Sequence, residues 1–304
     1  MTVKLAVAPI AWSNDDMPEL GGDTPLEVCL SQSREAGFCG TELGGKFPRD
    51  ADKLAPMLDK HNLMLAAGWF SGLLRDNGDI GEEMRRMQPQ LQTFAALGTT
   101  ILFYAETSAS TQAQINTPLS ARPIMPDEEF APYGEKLTAL AEMMAQQYGI
   151  KMAYHHHMGT VIQSMRDVDM LMQNTGEAVG LLADSGHAAF AGKADDGAMM
   201  IHKHAARIRH VHCKDVRDKQ LAKARKDDSS FMHAVLDGVF TVPGDGCLNF
   251  DKFIAAAAAI NYKGWMVVEA EQDPAKADPL TYSQQGGAHL RQCCQRAGIT
   301  IIDN

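Results

Sequence analysis

Residues 207–217 read RIRHVHCKDVR, a short alternating stretch that ends in charged groups. Side chains alternate between the two faces of a strand, so His210, His212 and Lys214 share one face and the apolar residues between them share the other. Polar groups are costly to bury without partners, which makes this face unusual for a plain core. The stretch therefore predicts a strand whose polar face is either a pair of hydrogen-bonded core histidines or part of a metal site.

Short apolar runs alternate with longer amphipathic segments on both sides of this stretch. Eight predicted strands, each followed by a predicted helix, lie at residues 4–9, 40–43, 63–69, 99–104, 151–155, 178–183, 208–213 and 265–270. This alternation predicts a parallel sheet with right-handed crossovers, and eight such units close naturally into a barrel. A doubly wound open sheet is the alternative, but no GxGxxG follows the first strand. The predicted fold is therefore α/β, a single (β/α)8 TIM barrel over residues 1–304.

Two connections are too long to be simple links between a strand and a helix. Residues 107–126 are rich in Ser, Thr and Pro, and residues 217–238 form a charged insertion with one predicted helix. Long loops in compact domains are usually functional. We expect both segments at the mouth of the barrel, where one of them covers the opening or reaches a neighbouring subunit.

Composition and charge restrict the classes of partner. The chain is 45% hydrophobic and 22% charged, with a net charge of −10, which argues against nucleic acid and anionic membranes as partners. No apolar run reaches the length of a membrane span, and the amino-terminal residues lack the features of a signal peptide. The six cysteines form no CxxC pair, so free thiols in a reducing cytoplasm are expected.

Candidate site residues gather where the fifth and sixth strands end, which is the active-site end of such a barrel. The fifth strand ends in YHHHMGT, and strand parity places His155 and His157 on one face and His156 on the other. The sixth strand ends in Asp184, with His187 three residues later. A carboxylate after an apolar run is costly to bury without a cation or donors, so ligation of a metal is favoured over helix capping.

The seventh and eighth strands add further ligand-type groups. His212 ends the seventh strand, and WMVVEAEQD places Glu269 and Glu271 on one face of the eighth. Two neighbouring carboxylates repel each other unless a cation or a shared proton relieves them. Mixed nitrogen and oxygen ligands from four neighbouring strands indicate a site for Mn²⁺, Co²⁺, Fe²⁺ or Zn²⁺.

Other candidates could contact a polar ligand, and each has a plainer alternative. Glu42 follows the second strand but could cap a helix, and Lys46 just beyond it could be a surface lysine. Trp69 ends the third strand and could floor a sugar-like site or pack in the core. Arg217 could bind a substrate oxygen or be a solvated loop charge.

Several motifs resemble the xylose-isomerase-like barrel superfamily over nearly the whole chain. They are Asp184-x-x-His187, HVHCKDVR, PGDGCLNFDKF and the carboxylate that ends the eighth strand. Within that superfamily, GTELGGKFP, YHHHMGT and EAEQDP resemble the inosose dehydratases. The resemblance implies a carbon–oxygen lyase of inositol catabolism that removes water from 2-keto-myo-inositol (scyllo-inosose) and gives a trihydroxycyclohexane-1,2-dione.

The resemblance also implies a set of metal ligands and a cofactor. The ligands map to His155, Asp184, His212 and Glu271, with His155 standing where the superfamily usually has Glu. His157 and Glu269 remain alternatives. Mn²⁺ or Co²⁺ is the expected ion, with Zn²⁺, Fe²⁺ or Mg²⁺ as alternatives and glutathione as a further candidate cofactor. The implied substrate is a cyclic polyol ketone, and the candidates to bind it are Glu42, Lys46, Trp69, His156 and Arg217.

The implied chemistry needs a base for the α-proton and an acid for the departing hydroxyl. Glu269, Glu271 and His157 are candidates for the base, and His187 and His157 for the acid. An inosose or ketose isomerase or epimerase is the main alternative, although the missing Glu on the fifth strand argues against a two-carboxylate epimerase. A non-catalytic sugar-binding barrel and a nuclease like endonuclease IV are more remote. A homo-oligomer is compatible with either enzyme.

Overall fold

Eight parallel strands close into a barrel in the computed structural model of the protein, which describes residues 1–303. The strands in chain order are β1 (Thr2–Val7), β2 (Gly40–Leu43), β3 (Met64–Gly72), β4 (Ile101–Glu106), β5 (Lys151–His155), β6 (Val179–Asp184), β7 (Ile208–Cys213), β8 (Asp215–Val216), β9 (Phe240–Thr241), β10 (Trp265–Val268) and β11 (Thr300–Ile301). The barrel consists of β1 to β7 and β10, and pairing of β10 with β1 closes it. The predicted (β/α)8 fold is confirmed.

Helices follow the barrel strands and pack around them. They are α1 (Leu26–Glu35), α2 (Ala51–Lys60), α3 (Leu74–Asn77), α4 (Ile80–Leu97), α5 (Asp127–Tyr148), α6 (Met165–Gln173), α7 (Ser185–Ala191), α8 (Asp196–Lys203), α9 (Asp218–Lys226), α10 (Phe231–Leu236), α11 (Phe250–Ala259) and α12 (Pro279–Arg296). Local sequence sets many of their ends. Ser164 and Asp167 form a capping box at α6, and Gly98 and Gly149 end α4 and α5 in the left-handed conformation.

The charged insertion contains two helices where the sequence predicted one. Helices α9 and α10 are separated by a turn in which Asp228 has a φ of +47°, and Ser230 caps α10 by accepting from the backbone N–H of His233. The antiparallel pair β8–β9 joins the two ends of the insertion. The insertion is therefore a compact lobe beside the carboxyl end of β7.

The loop of residues 107–126 is hydrogen-bonded both to the segment that follows β5 and to this lobe. The backbone N–H of Thr111 donates to the carbonyl of Gly159 at 2.9 Å. Farther along, the backbone N–H of Ser120 donates to Asp228 Oδ1 at 3.0 Å. The loop is thus attached at both ends of its path, and we expect it to be held in place over the barrel rather than to move freely.

Gly159 is the position at which this loop comes closest to the barrel. A Cβ there would lie 2.8 Å from the backbone nitrogen of Gln112, and Gly159 has a φ of +81°. Gly98 has a φ of +71° but no atom within 4 Å of an added Cβ. Both Gly→Ala changes carry the cost of a left-handed alanine, so the difference between them measures the contact with the loop.

We expect Gly159→Ala to lower the free energy of unfolding by about 1–2 kcal/mol more than Gly98→Ala, as judged by urea denaturation. Equal losses in the two variants would show that the loop does not depend on this contact.

Candidate active site

The carboxyl ends of the barrel strands surround a cavity of about 130 Å³. Its walls combine the rings of Trp69 and Phe103 with a dense set of polar side chains. The polar members are Asp15, Asp16, Glu42, Gln112, His155, His157, His212, Glu269 and Glu271. A concave site with apolar rings and convergent titratable groups is typical of an enzyme active site.

His212 lies at the centre of the polar groups. Its Nε2 is 3.1 Å from Glu42 Oε1, and because a carboxylate only accepts, this nitrogen carries a proton. Its Nδ1 lies 3.4 Å from Asp184 Oδ2 and in closer contact with Glu269 Oε2. Burial opposes a charge on His212, but Glu269 and Glu42 outweigh it and raise its pKa well above the ordinary value. The carboxylates around His212 therefore favour a positive charge at its position.

Three atoms at this point fit a metal ion. Asp184 Oδ2, His212 Nδ1 and Glu269 Oε2 are buried and lie against one another, and none of them makes a well-formed hydrogen bond within residues 1–303. Buried polar atoms without partners are rare because they are costly. A divalent cation would satisfy all three, and a carboxylate–imidazole set is a familiar donor set for such ions.

His155 completes this set with its own lone pair. Its Nδ1 is 2.6 Å from the carbonyl of His156, so Nδ1 carries the proton and Nε2 does not. Ligand atoms of His155, Asp184 and His212 all lie within 4.8 Å of one another. Glu42, His210 and His212 form a second close set, but in it Glu42 accepts from His210 at 2.7 Å and orients the two rings.

Lys214 is the site residue that the sequence analysis left without a role. It is fully buried, and its Nζ lies 2.7 Å from Glu269 Oε1, 3.7 Å from Asp184 Oδ2 and 3.1 Å from His187 Nε2. Burial works against its charge, but Asp184 and Glu269 raise its pKa. The alternation of His210, His212 and Lys214 was the available indication that this lysine enters the same site.

The two glutamates after β10 have opposite environments. Burial opposes ionisation of Glu269, but the Lys214 charge outweighs it and lowers the pKa of Glu269. Burial raises the pKa of Glu271 to about 8, and Asp16 and Glu269 add to the rise. Asn14 Nδ2 donates to Glu271 Oε1 at 3.3 Å. Glu269 is thus anionic beside His212, whereas Glu271 holds a proton at neutral pH.

His157 is a neutral imidazole on the cavity wall. Its Nδ1 is 2.8 Å from the carbonyl of Met158, which leaves the lone pair on Nε2. Burial lowers the pKa of His157 to about 3. His187 packs behind His157, with ring centroids 4.0 Å apart, and does not line the cavity.

His156 has a different environment from its two histidine neighbours. Its Nδ1 lies 3.4 Å from the carbonyl of Gln163. His156 is therefore not among the residues that line the cavity, in contrast to His155 and His157, and it is not in the position expected of a substrate contact.

The structure does not bring three of the predicted substrate contacts, His156, Lys46 and Arg217, to the cavity. Lys46 is exposed and donates to the carbonyls of Gly21, Gly22 and Thr24. Arg217 donates to Asp245 Oδ2 at 2.7 Å and to the Gly238 carbonyl at 2.9 Å, which holds the insertion together. In both cases a partner nearby in space engages the cation.

Trp69 and Glu42 line the cavity. Trp69 contacts His155 and His157 edge-on, with ring centroids 5.5 Å and 5.4 Å apart. Glu42 accepts hydrogen bonds from His210 and His212, the two histidines of β7, and it thereby orients His212.

A family model described as xylose isomerase-like TIM barrel matches residues 30–293. The chain belongs to this family. A relative from Rhizobium meliloti, rhizopine catabolism protein MocC, is 50% identical over 301 residues, which cover 99% of this chain and 91% of that protein. An inosose dehydratase from Geobacillus thermodenitrificans is 42% identical and covers 96% and 97% of the two chains. One from Clostridium perfringens is 39% identical and covers 95% and 97%. The resemblance to the inosose dehydratases, which are hydro-lyases, is confirmed.

Solved structures of the same fold are more distant in sequence. The IOLI protein with a binding zinc atom is 16% identical, with a TM-score of 0.65 over 97% of this chain and 98% of that chain. The probable 3-DHS dehydratase AsbF from Bacillus anthracis is 14% identical, with a TM-score of 0.68 over 94% and 99%. These likenesses support the fold. Within the described residues no helix has the length and apolarity to cross a membrane.

Proposed function

We propose that this protein is a metal-dependent dehydratase that removes water from 2-keto-myo-inositol and yields a trihydroxycyclohexane-1,2-dione. The observation that carries the proposal is the convergence of Asp184 Oδ2, His212 Nδ1 and Glu269 Oε2 beside the cavity, none of them in a well-formed hydrogen bond within the described chain. Relatives that carry the name inosose dehydratase at 39–42% identity over nearly the whole chain support the substrate.

The ligands would be His155, Asp184, His212 and, of the two glutamates, Glu269. Glu269 is favoured because it contacts His212, whereas Asn14 donates to Glu271. The mixed donors suit Mn²⁺ or Co²⁺, with Zn²⁺, Fe²⁺ and Mg²⁺ as alternatives. A divalent ion held there supplies Lewis acidity toward a ketone oxygen. Participation of glutathione remains a prediction.

In this proposal His157 and Glu271 move the two protons of the elimination. The lone pair on His157 Nε2 takes the α-proton, the C–H electron pair becomes the ring double bond, and the β-hydroxyl leaves. Glu271 protonates that hydroxyl, so that water departs and the enol product tautomerises to the dione. Because β5 and β10 are separated by β6 and β7 around the barrel, the two groups approach the cavity from different sides. The rings of Trp69 and Phe103 exclude water from the reacting carbons.

Glu271→Gln tests this division of roles. Removing the acid should lower the rate of water elimination by about 100- to 10,000-fold while the metal content stays unchanged. Exchange of the α-proton in deuterated water, followed by mass spectrometry, should continue because His157 is intact. Glu128→Gln, an exposed glutamate of α5, is the control and should behave as wild type. Equal loss of exchange and elimination would remove Glu271 from the role of acid.

The wild-type reaction separates the candidate functions. Metal-loaded protein and 2-keto-myo-inositol in deuterated water should produce the dione chromophore. Recovery of deuterated ketone with all of its hydroxyls would instead assign the protein to the isomerases or epimerases. Binding without any turnover, with or without metal, would indicate a sugar-binding barrel.

The relative at 50% identity supports a second candidate, a dehydratase step within rhizopine catabolism. Deletion of the gene in its host would distinguish the two. Loss of growth on rhizopine with normal growth on myo-inositol would favour this second candidate, and the reverse result would favour the first.

A further inference from the structure

Gln112 contributes to the cavity wall a polar side chain that neither the metal ligands nor the acid–base pair uses. Gln112 lines the cavity and is 7% exposed. Its Oε1 is buried and finds no hydrogen-bond partner among residues 1–303. A buried carbonyl without a hydrogen-bond donor costs stability. Its position beside a cavity therefore indicates that a bound ligand donates to it.

Gln112 cannot readily relieve this cost by turning away with its loop. The neighbouring residue Thr111 donates from its backbone to the carbonyl of Gly159 at 2.9 Å, and the absence of a Cβ on Gly159 allows that approach. Farther along, the backbone N–H of Ser120 donates to Asp228 Oδ1 at 3.0 Å, which attaches the loop to the insertion as well. The acceptor is therefore held in position before any substrate binds.

We propose that Gln112 is a specificity-determining residue that accepts a hydrogen bond from one ring hydroxyl of the cyclic polyol substrate. The inference rests on the proposed function for its substrate class. A carboxamide does not titrate, so a role in proton transfer is excluded. A hydroxyl can donate to Oε1, whereas a keto group or a deoxy carbon at the same ring position cannot. Sites built to pair with a hydroxyl discriminate strongly against analogues that lack it.

Gln112→Leu is the discriminating variant because it keeps similar bulk and removes the amide. We expect the KM for 2-keto-myo-inositol to rise about 10- to 100-fold, since one buried hydrogen bond to substrate is lost. We expect kcat to remain near the wild-type value, because the reacting groups are untouched. The thermal midpoint should stay the same or rise, since the unpaired carbonyl is gone.

Gln114→Leu is the matched control on the same loop. Gln114 is exposed, and its Nε2 donates to the Ser110 carbonyl at 2.9 Å. This change should leave KM unaltered. An unchanged KM in Gln112→Leu would overturn the proposal. A fall of more than about 5 °C in its thermal midpoint would also overturn it, because the residue would then support the fold itself.

Binding of scyllo-inositol, an unreactive polyol, separates this inference from the proposed function. Calorimetric titration of the metal-loaded protein should show weaker binding in Gln112→Leu by a similar factor. If wild-type protein binds scyllo-inositol but eliminates no water from the ketone, the dehydratase proposal fails while the role of Gln112 stands. If elimination proceeds and both proteins bind scyllo-inositol and the ketone equally, the role of Gln112 fails alone.

Discussion

Replacing His212 by alanine is expected to remove the bound metal and to lower kcat by about 1,000-fold or more, because Lewis-acid stabilisation worth several kcal/mol is lost. His212 contacts Glu42 through Nε2 and both Asp184 and Glu269 through Nδ1, whereas Lys214 reaches only Asp184 and Glu269. Metal content of the purified variant and steady-state turnover are the measurements.

His202→Ala is the control for this experiment, because His202 is an exposed histidine of α8. It should retain the metal and the full rate. A His212→Ala protein with stoichiometric metal and normal turnover would contradict the assignment of the site. Loss of turnover with retained metal would instead limit His212 to contacts with the substrate.

The second large effect is expected for Lys214→Met, which removes a buried cation from between two carboxylates. The free energy of unfolding of the metal-free protein should fall by about 3–5 kcal/mol, because Asp184 and Glu269 are left buried without their partner. Divalent metal should restore part of this loss, since it neutralises the same two groups. Chemical denaturation with and without metal provides both values.

Lys223→Met gives the comparison at the surface. Lys223 pairs with Asp237, and both side chains are about half exposed, at 59% and 49%. Exposed ion pairs contribute at most about 1 kcal/mol, so this variant should unfold nearly as wild type does. If the two lysine variants unfold with the same free energy, Lys214 does not balance the charge of the site.

The barrel could be predicted because its determinants are local. Alternating apolar runs and amphipathic segments have periods that a single strand or helix imposes, and Gly98 and Gly149 end their helices without help from distant residues. Parity likewise placed His155 and His157 together on the cavity wall. The insertion was harder, because its turn at Asp228 depends on a left-handed residue that carries no strong sequence pattern.

The choice between Glu269 and Glu271 could not be made from parity. Both fall on one face of an extended stretch, but β10 ends at Val268, so both lie beyond the regular strand. Their environments come from distant segments. Lys214 stabilises Glu269 as an anion. Glu271 instead accepts a hydrogen bond from Asn14, which lies 257 positions away in the sequence.

The sequence by itself determined the α/β barrel and predicted that most of the polar residues around the cavity lie at its strand ends, because both follow from local periodicity. Tertiary structure alone decided which nitrogen of His212 is free, since that depends on Glu42, 170 positions away. It also decided that Lys214 enters the site and that Gln112 reaches the cavity from a long loop. The physical reason is that proton positions and charge pairing depend on the nearest atoms in space, and those atoms come from strands and loops far apart in the chain.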